Sequence, residues 1–498
     1  MGNGTAKGGL QRGQRDGQSI CDLPYGGFAG EKAVWMSKKF LAKLMEPRQQ
    51  IPIERQRFSN RELFALILPI LIEQLLTMLV GIADTLMVSY AGEAAVSGVS
   101  LVNQLNNVFI FIFGAVASGG AVVASQYVGR QDRKNGVAAS SQLLMITVLL
   151  SVLMMGISIL FRSQLLSLLF GKVEQDVMES SLVYLVVSAF SFPALAVYNS
   201  ISALFRSMGN TKAVMNISIA MNGINVIGNA VGIFILHAGV AGVAVPSLIS
   251  RMFAAAVMLA LSFNRKNPLY VQVKKVFAWD GRMLKRILNI AVPNGIENGL
   301  FQLSKVALSS ITALFGTVQI AANGVAQSFW SMAALFCIAF GYAFVTVIGQ
   351  CMGAGDVEAA DYYNKKLLRI TYFGSGIWNF LIVILTPLVL RLYSLSDEAR
   401  NLVMILVVIH GVFNVLLCPL SFSLSNGLRA AGDIKFTMYA SIFATVVCRV
   451  VFSVIFGIWM NLGVIGVCIA MVGDWLVKAV LIAGRYQSRR WAQFHVID

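Results

Sequence analysis

The sequence predicts an all-α polytopic membrane protein with twelve transmembrane helices in two parallel six-helix repeats. Three observations carry that prediction. The chain is 57% apolar and 12% charged, with a mean hydropathy of +0.73, against roughly 25% charged residues in soluble domains. Nearly everything after Arg61 consists of apolar runs of about 20 residues or more, long enough to span a bilayer. Finally, the first half recurs 224 positions later: Pro69 and Pro293, Glu73 and Glu297, Gly92 and Gly316, Gln126 and Gln350, Gly129 and Gly353, Asp132 and Asp356. The matched residues are helix breakers, membrane-embedded acids and loop residues, which apolar composition alone would not align. A repeat of this length in such a chain points to a two-lobed transporter with a cavity between its lobes.

Apolar segments bounded by glycine-rich or charged turns place the first six helices at approximately 62–89, 95–126, 136–161, 178–202, 212–236 and 240–263. The second six fall at approximately 284–314, 319–350, 366–392, 399–424, 435–460 and 463–484. Basic residues set the orientation. With the N-terminus in the cytoplasm, the inward loops hold Arg130, Arg133 and Lys134, then Arg206 and Lys212, then the basic linker 264–283 with Arg265, Lys266, Lys274 and Lys275. Outward turns around Gly92, His237, Thr317 and Asn461 hold no Lys or Arg, and the outward loop near Gly171 is mixed. Both termini are therefore expected inside. Six helices per repeat is an even number, so both copies enter the membrane in the same direction and are related by an axis along the membrane normal. The expected division is a tail at 1–60, lobes at 61–263 and 284–485 joined by the linker, and a second tail at 486–498.

The net charge of +16 would suggest nucleic acid in a soluble protein. Here the bases lie in short loops and tails, which reads as topology and contact with anionic lipid, with no nucleic-acid partner. Cys21, Cys337, Cys351, Cys418, Cys448 and Cys468 form no CxxC and mostly lie in apolar segments, so they read as buried thiols with no disulfide framework or zinc site. The glycine-rich start reads as disordered. Segment 31–46, with Trp35, Phe40 and Leu44 beside Lys32, Lys39 and Lys43, reads either as an amphipathic helix on the membrane surface or as a solvated tail. No secretory signal is expected, and the myristoylation pattern fails because Ala6 follows Gly2 at the position needing Ser or Thr.

Charges inside the membrane cost roughly 2.5–3.5 kcal/mol each on insertion scales, so each needs a reason. Asp84 lies well inside the first span. A carboxylate there can take a proton, bind Na⁺ or hold a cationic molecule; the plainer alternative is a hydrogen-bonded Asp near the outer end. Asn222, Asn225 and Asn229 share one face of the fifth span at i, i+3 and i+7, either as helix glue or as an ion site. Ser247 follows Pro246 in the sixth span, where the proline frees a carbonyl. Glu73 and Glu297 each stand four residues after the prolines expected to kink their helices, Pro69 and Pro293, as structural partners of Lys, Arg or backbone donors, or as transport residues. Lys305, His410, Arg449 and Asp474 in the second repeat and Arg251 in the sixth span are expected to pair with opposite charges, with substrate contact as the alternative. His410 can also be read as a pH-responsive group or as a satisfied core residue. No GxxxxGK[ST], HExxH, metal cluster or nucleophile elbow occurs, so no enzyme activity, cofactor or ATP site of its own is expected and an ion or substrate gradient must supply the drive.

The pattern Pro69, Ala83-Asp84-Thr85, Gly92 and Gln126-Tyr-Val-Gly129-Arg-Gln-Asp132 resembles the multidrug and toxic compound extrusion (MATE) family. Pro293, Gly316 and Gln350-Cys-Met-Gly353-Ala-Gly-Asp356 match the start of that family's second lobe. Arg206-Ser-Met-Gly-Asn210 echoes Arg429-Ala-Ala-Gly-Asp433, and Gly239-Val-Ala-Gly242 echoes Gly463-Val-Ile-Gly466. The resemblance covers approximately 60–485. It implies a V-shaped, two-lobe antiporter, a functional monomer in the bacterial inner membrane, exporting organic cations and other amphipathic drugs in exchange for H⁺ or Na⁺. In the bacterial and archaeal branch similar to DNA-damage-inducible protein F, a first-helix Asp couples the ion, and Asp84 matches it. That branch also uses an Asn-xxx-Asp pair and a Thr, where this chain has Asn225, Asn229 and Ser247. Asn229 replaces a carboxylate, which favours H⁺ at Asp84 over Na⁺. Other branches place an acid eight residues after the seventh-helix proline, where this chain has Phe301. A lipid-linked oligosaccharide flippase of the same superfamily is the rival, kept open by Lys305, Arg251 and Arg449; a non-transporting receptor or scaffold is the rival from another class.

Overall fold

The computed structural model describes residues 46–497 except 48–49, 172–173, 392 and 394, and the backbone alone at 169 and 170. The first 45 residues, with the expected amphipathic segment and Cys21, and Lys172 of one outward loop lie outside the described residues. Residues from Pro47 onward group as one compact unit, which holds every helix discussed below.

Twelve long helices run through it. The first lobe comprises α1 (Asn60–Ser89), α2 (Glu93–Arg130), α3 (Arg133–Leu160), α4 (Gln175–Ser207), α5 (Thr211–Ala230, continued by a π-helical turn Val231–Ile235) and α6 (Ala241–Ser262). The second comprises α7 (Gly281–Ala313), α8 (Thr317–Gly353), α9 (Val357–Leu390) and α10, which runs from Asp397–Cys418 through a π-helical turn into Leu424–Ala431. It continues with α11, spanning Ile434–Ile442 to Val454–Trp459 with two π-helical turns, and α12 (Gly463–Gln487). Side chains start several of them. Ser59 and Glu62 form a reciprocal capping box on α1. Asp132 and Asp356, equivalent positions of the repeat, each accept the backbone N–H three residues on, from Asn135 and Ala359. Pro69 and Pro293 lie inside α1 and α7, which are helical on both sides of them.

Eleven of these helices are long and apolar enough to cross a membrane. The exception is α7, one of the twelve expected spans. Its outer half carries Glu297, Asn298, Gln302 and Lys305, which lower its hydropathy.

The repeat is a repeat of backbone as well as sequence. Gly92 and Gly316 both adopt positive φ, +104° and +90°, at the turns into α2 and α8. His237 and Asn461, 224 apart, also share a positive φ. The π-helical turn at Val231–Ile235 recurs at Val454–Trp459. Beside each turn a glycine permits backbone contact: a Cβ at Gly242 would meet the Gly232 oxygen at 2.7 Å, and one at Gly466 would meet the Phe456 oxygen at 2.5 Å.

Among the described residues, the lobes share hydrophobic cores at one end. Leu63, Leu66, Ile67 and Ile70 of α1 share a core with Ala339–Met352 of α8. Val116–Tyr127 of α2 share another with Met283–Ala291 of α7. At the opposite end each lobe packs on itself: Val88 to Phe113 with Leu166 to Ala244 in the first, and Ala322 to Ala333 with Ile382 to Val407 in the second. At the joined end α2 and α8 cross at backbone distance. A Cβ on Gly129 would lie 2.0 Å from the Gln350 oxygen, and one on Gly353 would lie 1.9 Å from the Gln126 oxygen. The two glutamines exchange equivalent bonds across the junction: Gln126 Nε2 donates to the Ala430 carbonyl and Gln350 Nε2 to the Ser207 carbonyl, both at 2.8 Å.

The flanking segments reinforce this end. Phe58 N–H donates to the Tyr363 hydroxyl, which donates to the Phe58 carbonyl, each at 2.8 Å. Arg55 pairs with Asp356 and Glu358. Trp491 is fully buried, and Arg130 donates to the Ile497 carbonyl at 3.1 Å. The linker also docks on the first lobe: Gln142 Nε2 donates to the carbonyls of Lys275 and Ala278, and its oxygen accepts from Asp280 N–H.

Gly353→Val puts methyl groups where a carbonyl now sits, an overpacking of the kind that costs about 1–3 kcal/mol. The purified variant is expected to melt at a lower temperature in detergent, and spin labels at Lys134 and Glu358 are expected to move apart.

Candidate functional site

Asp84 stands near the open end of α1, half-buried, and two amides from α5 turn toward it. Asn229 Nδ2 donates to Asp84 Oδ1 at 2.7 Å. With the Asn225 nitrogen facing Asp84, the orientation that satisfies both ends of that amide, it donates to Oδ1 at 2.9 Å and to Oδ2 at 3.3 Å. Its oxygen then accepts from Ser247 Oγ of α6 at 2.9 Å. The four residues singled out in the sequence thus form one connected cluster. Asn222, on the same face of α5, donates to Ser218 at 3.4 Å and stands apart from it. The cluster depends on close packing of α5 and α6, since a Cβ on Gly228 would lie 2.6 Å from Pro246 Cβ. Asn229 is fully buried and its oxygen has no donor among the described residues.

The cluster opens into a cavity of about 490 Å³ lined by α1, α2, α4, α5 and α6 of the first lobe, with Tyr342, Val345 and Thr346 of α8. That size lies within the range of small-molecule sites. Its charged lining is two carboxylates, Glu73 and Asp84, and two guanidiniums, Arg206 and Arg251, so the formal charges balance. Arg251 Nη1 donates to Ser191 Oγ at 2.7 Å and acts on Asp84 electrostatically without an ion pair to any described carboxylate. The lining holds a single methionine, Met221.

Glu73 and Arg206 form a buried ion pair at the floor of this cavity. Arg206 also lies 4.6 Å from the Tyr342 ring centroid, and its carbonyl accepts from Thr346 Oγ1 at 3.0 Å. The second lobe repeats the pair as Glu297 and Arg429, with additions: Arg429 donates to Asn294 at 3.1 Å, and Lys478 reaches Glu297 at 3.5 Å. Between the structural and transport roles left open for the two glutamates, the geometry gives both a guanidinium partner. The matching motifs that Arg206 and Arg429 open mark the two guanidiniums as equivalent, although nothing local in the sequence links either one to its glutamate.

The remaining charges divide. Arg449 and Asp474 form a fully buried pair between α11 and α12. His410 is buried with Nε2 3.6 Å from Cys468 Sγ, beside the Trp475 ring. Lys305 departs from the expected pairing, as Arg251 does: its Nζ sits 4.9 Å from the Phe301 ring and 5.6 Å from Trp330, with no ion pair to a described carboxylate. Neither base forms an ion pair with a described carboxylate, which pairing rules applied to a linear sequence do not reveal.

The second lobe does not copy the Asp84 cluster. Shifted by 224, Asp84 becomes Leu308, Asn225 becomes Arg449, Asn229 becomes Ser453 and Ser247 becomes Met471. Leu308 and Met471 share a small apolar core with Val467.

Two six-helix lobes joined at one end around a polar cavity define a polytopic membrane transporter. The MatE family model matches residues 69–231 and again 293–455, two stretches displaced by 224 that together cover more than half the chain, so the protein belongs to the MatE family. The chain is 28% identical over 437 residues to "Uncharacterized transporter YisQ" of Bacillus subtilis, covering 86% of this chain and 95% of that protein. It is 23% identical to "Probable multidrug resistance protein NorM" of Thermotoga maritima, covering 91% and 96%, and 23% identical to human "Multidrug and toxin extrusion protein 1", covering 87% and 76%. Among solved structures, an outward-facing multidrug resistance MATE family transporter aligns with TM-score 0.82 at 19% identity, covering 90% of this chain and 100% of that one. A MATE structure in the bent conformation aligns with TM-score 0.79 at 19% identity, covering 86% and 96%. The protein is a transporter and not an enzyme.

Removing one member of a buried ion pair typically costs about 3–5 kcal/mol because the other charge is left uncompensated. Glu73→Gln is expected to lower the melting temperature of the purified protein sharply, and the double variant Glu73→Gln, Arg206→Gln to recover part of that loss. A loss in the double variant equal to the sum of the losses in Glu73→Gln and Arg206→Gln would show that the pair is not coupled.

Proposed function

We propose that this protein is a secondary active multidrug exporter of the plasma membrane, with both termini cytoplasmic, that exchanges amphipathic, chiefly cationic molecules for a proton carried by Asp84. The observation that carries the reading is the set of donors on Asp84. Both amides present N–H to Oδ1, an arrangement suited to a bare carboxylate, while Oδ2 keeps only the 3.3 Å contact. A proton adds to Oδ2 without rearrangement. Na⁺ would require both amides to rotate and present oxygen, since a hard cation takes oxygen ligands.

Exchange follows from the charge balance of the cavity. With Asp84 ionised, the lining is neutral; with Asp84 protonated, Arg251 is uncompensated and the lining carries +1. A unit charge at 4 Å is worth about 4 kcal/mol at an effective dielectric of about 20, enough to expel a bound cation. Loading Asp84 and holding a cationic molecule therefore exclude one another. The Glu73–Arg206 floor, tied to α8 through Tyr342 and Thr346, lies where an inward opening would have to break contacts. The joined end carries Arg130, Arg133 and Lys134, which supports its being cytoplasmic and the cavity's facing outward. Both lobes come from one chain, which supports action as a monomer. The balanced lining does not favour a lipid-linked pyrophosphate, which needs a net cationic cavity.

The test is dye efflux from proteoliposomes under an imposed pH gradient or Na⁺ gradient, separately. Wild type is expected to respond to the pH gradient, and Asp84→Asn to fall to the leak of protein-free vesicles. Asn229→Asp, which restores a second carboxylate and an oxygen ligand, is expected to add a response to Na⁺. Full gradient-driven efflux by Asp84→Asn would remove Asp84 from the coupling role.

A further inference from the structure

The linker between the lobes climbs along α3 before it enters α7. Arg133, at the start of α3, donates to the carbonyls of Arg265 and Asn267. Leu269 lies against Gly136, where a Cβ would collide with it. Gln272 N–H donates to Ser141 Oγ at 3.0 Å, and Gln142 then holds Lys275, Ala278 and Asp280. From Arg133 to Gln142 the helix advances nine residues, about 13 Å. With 28 residues, α3 is about 42 Å long against a hydrocarbon core of about 30 Å. A climb of about 13 Å from its end brings the linker to the membrane boundary.

At that level the linker turns apolar side chains outward. Val273 is 53% exposed, Phe277 85% and Trp279 72%. Val273 and Phe277 stand one helical turn apart, and Trp279 Nε1 lies 3.5 Å from where a Cβ on Gly281 would be, at the start of α7. Lys274, Arg282 and Lys285 are exposed beside them and form no ion pair with a described carboxylate. Residues 264–286 hold seven bases and a single acid, Asp280, whose carboxylate is occupied in capping α7 through the N–H groups of Arg282 and Met283. Aromatic rings flanked by bases fit the headgroup boundary of an anionic leaflet. The chain's own first 45 residues carry seven bases and three acids, the wrong charge to cover this surface.

We propose that the linker is an in-plane membrane anchor: Phe277 and Trp279 enter the leaflet at the joined end, and Lys274, Arg282 and Lys285 bind the phosphates of anionic phospholipids. The anchor is tied to α3 of the first lobe by Gln142 and runs directly into α7 of the second. Lipid held there bears on both lobes at once. The inference does not depend on Asp84 or on what is transported, because lipid contact alone reports it.

The test uses the full chain in vesicles of phosphatidylcholine mixed with phosphatidylglycerol. A bimane fluorophore is attached at Ala278→Cys, which leaves Phe277 and Trp279 in place, in a Cys21→Ser background whose other cysteines are buried. A second sample carries the fluorophore at Lys266→Cys, near the start of the linker. Acrylamide quenches from water, and phospholipids brominated on their acyl chains quench from the bilayer. The label at position 278 is expected to be quenched by brominated lipid and spared by acrylamide, and the label at position 266 the reverse. Brominated phosphatidylglycerol is expected to quench position 278 about fivefold more strongly than brominated phosphatidylcholine at equal mole fraction, the preference that one base confers on anionic lipid. The variant Lys274→Gln, Arg282→Gln, Lys285→Gln is expected to lose that preference while quenching by brominated phosphatidylcholine persists. Quenching of position 278 by acrylamide, or by neither agent, would overturn the proposal, the second by showing that protein covers the surface. Equal quenching by the two brominated lipids in wild type, or a preference that survives the triple variant, would overturn it as well.

Discussion

Helices α2 and α8 meet backbone to backbone at Gly129 and Gly353, and the arrangement of both lobes depends on that crossing. No side chain fits between them, so Gln126 and Gln350 can reach the carbonyls of the opposite lobe and close the junction with two equivalent bonds. Shared cores surround this point, and at the far end the described residues of each lobe bury their own apolar faces. Helices fixed at one end and independently packed at the other leave space between them. The cavity occupies that space on the first-lobe side, and its floor is the Glu73–Arg206 pair a few turns from the crossing.

Symmetry and its loss then serve different purposes. The duplicated features are those that build the frame: the capping aspartates, the positive-φ turns, the π-helical turns with their glycine contacts, and the two Glu–Arg pairs. The features that differ are chemical. One lobe sets an acid among amides, and the other sets a guanidinium where an amide would be. A frame that is nearly two-fold is suited to rocking about its junction, and on the proposed coupling at Asp84 a charge loaded in one lobe would bias that motion.

Much of this was legible in the sequence because the relevant signals are local or repeat at fixed spacing. The 224-residue displacement exposed the glycines, prolines and acids of the frame. Asn225 and Asn229 on one face of α5, with Ser247 after Pro246, led to the cluster around Asp84. What was not legible depends on which helices become neighbours. Glu73 and Arg206 are 133 residues apart, and nothing local links them. Lys305 and Arg251 were expected to pair because buried charges usually do, yet neighbouring helices offer them a ring and a hydroxyl instead of a carboxylate. The docking of residues 51–58 and of Trp491 lay outside the repeat, where comparison of the two halves carries no information.

The central claim is that Asp84 binds either a proton or a cationic substrate, so substrate binding must displace the proton by reciprocal linkage. The direct measurement is proton release when a permanent cation such as rhodamine 123 binds the purified protein in weakly buffered solution. Wild type is expected to release up to about one proton per bound molecule, and Asp84→Asn to bind without release. Equal proton release by the two proteins would contradict the account.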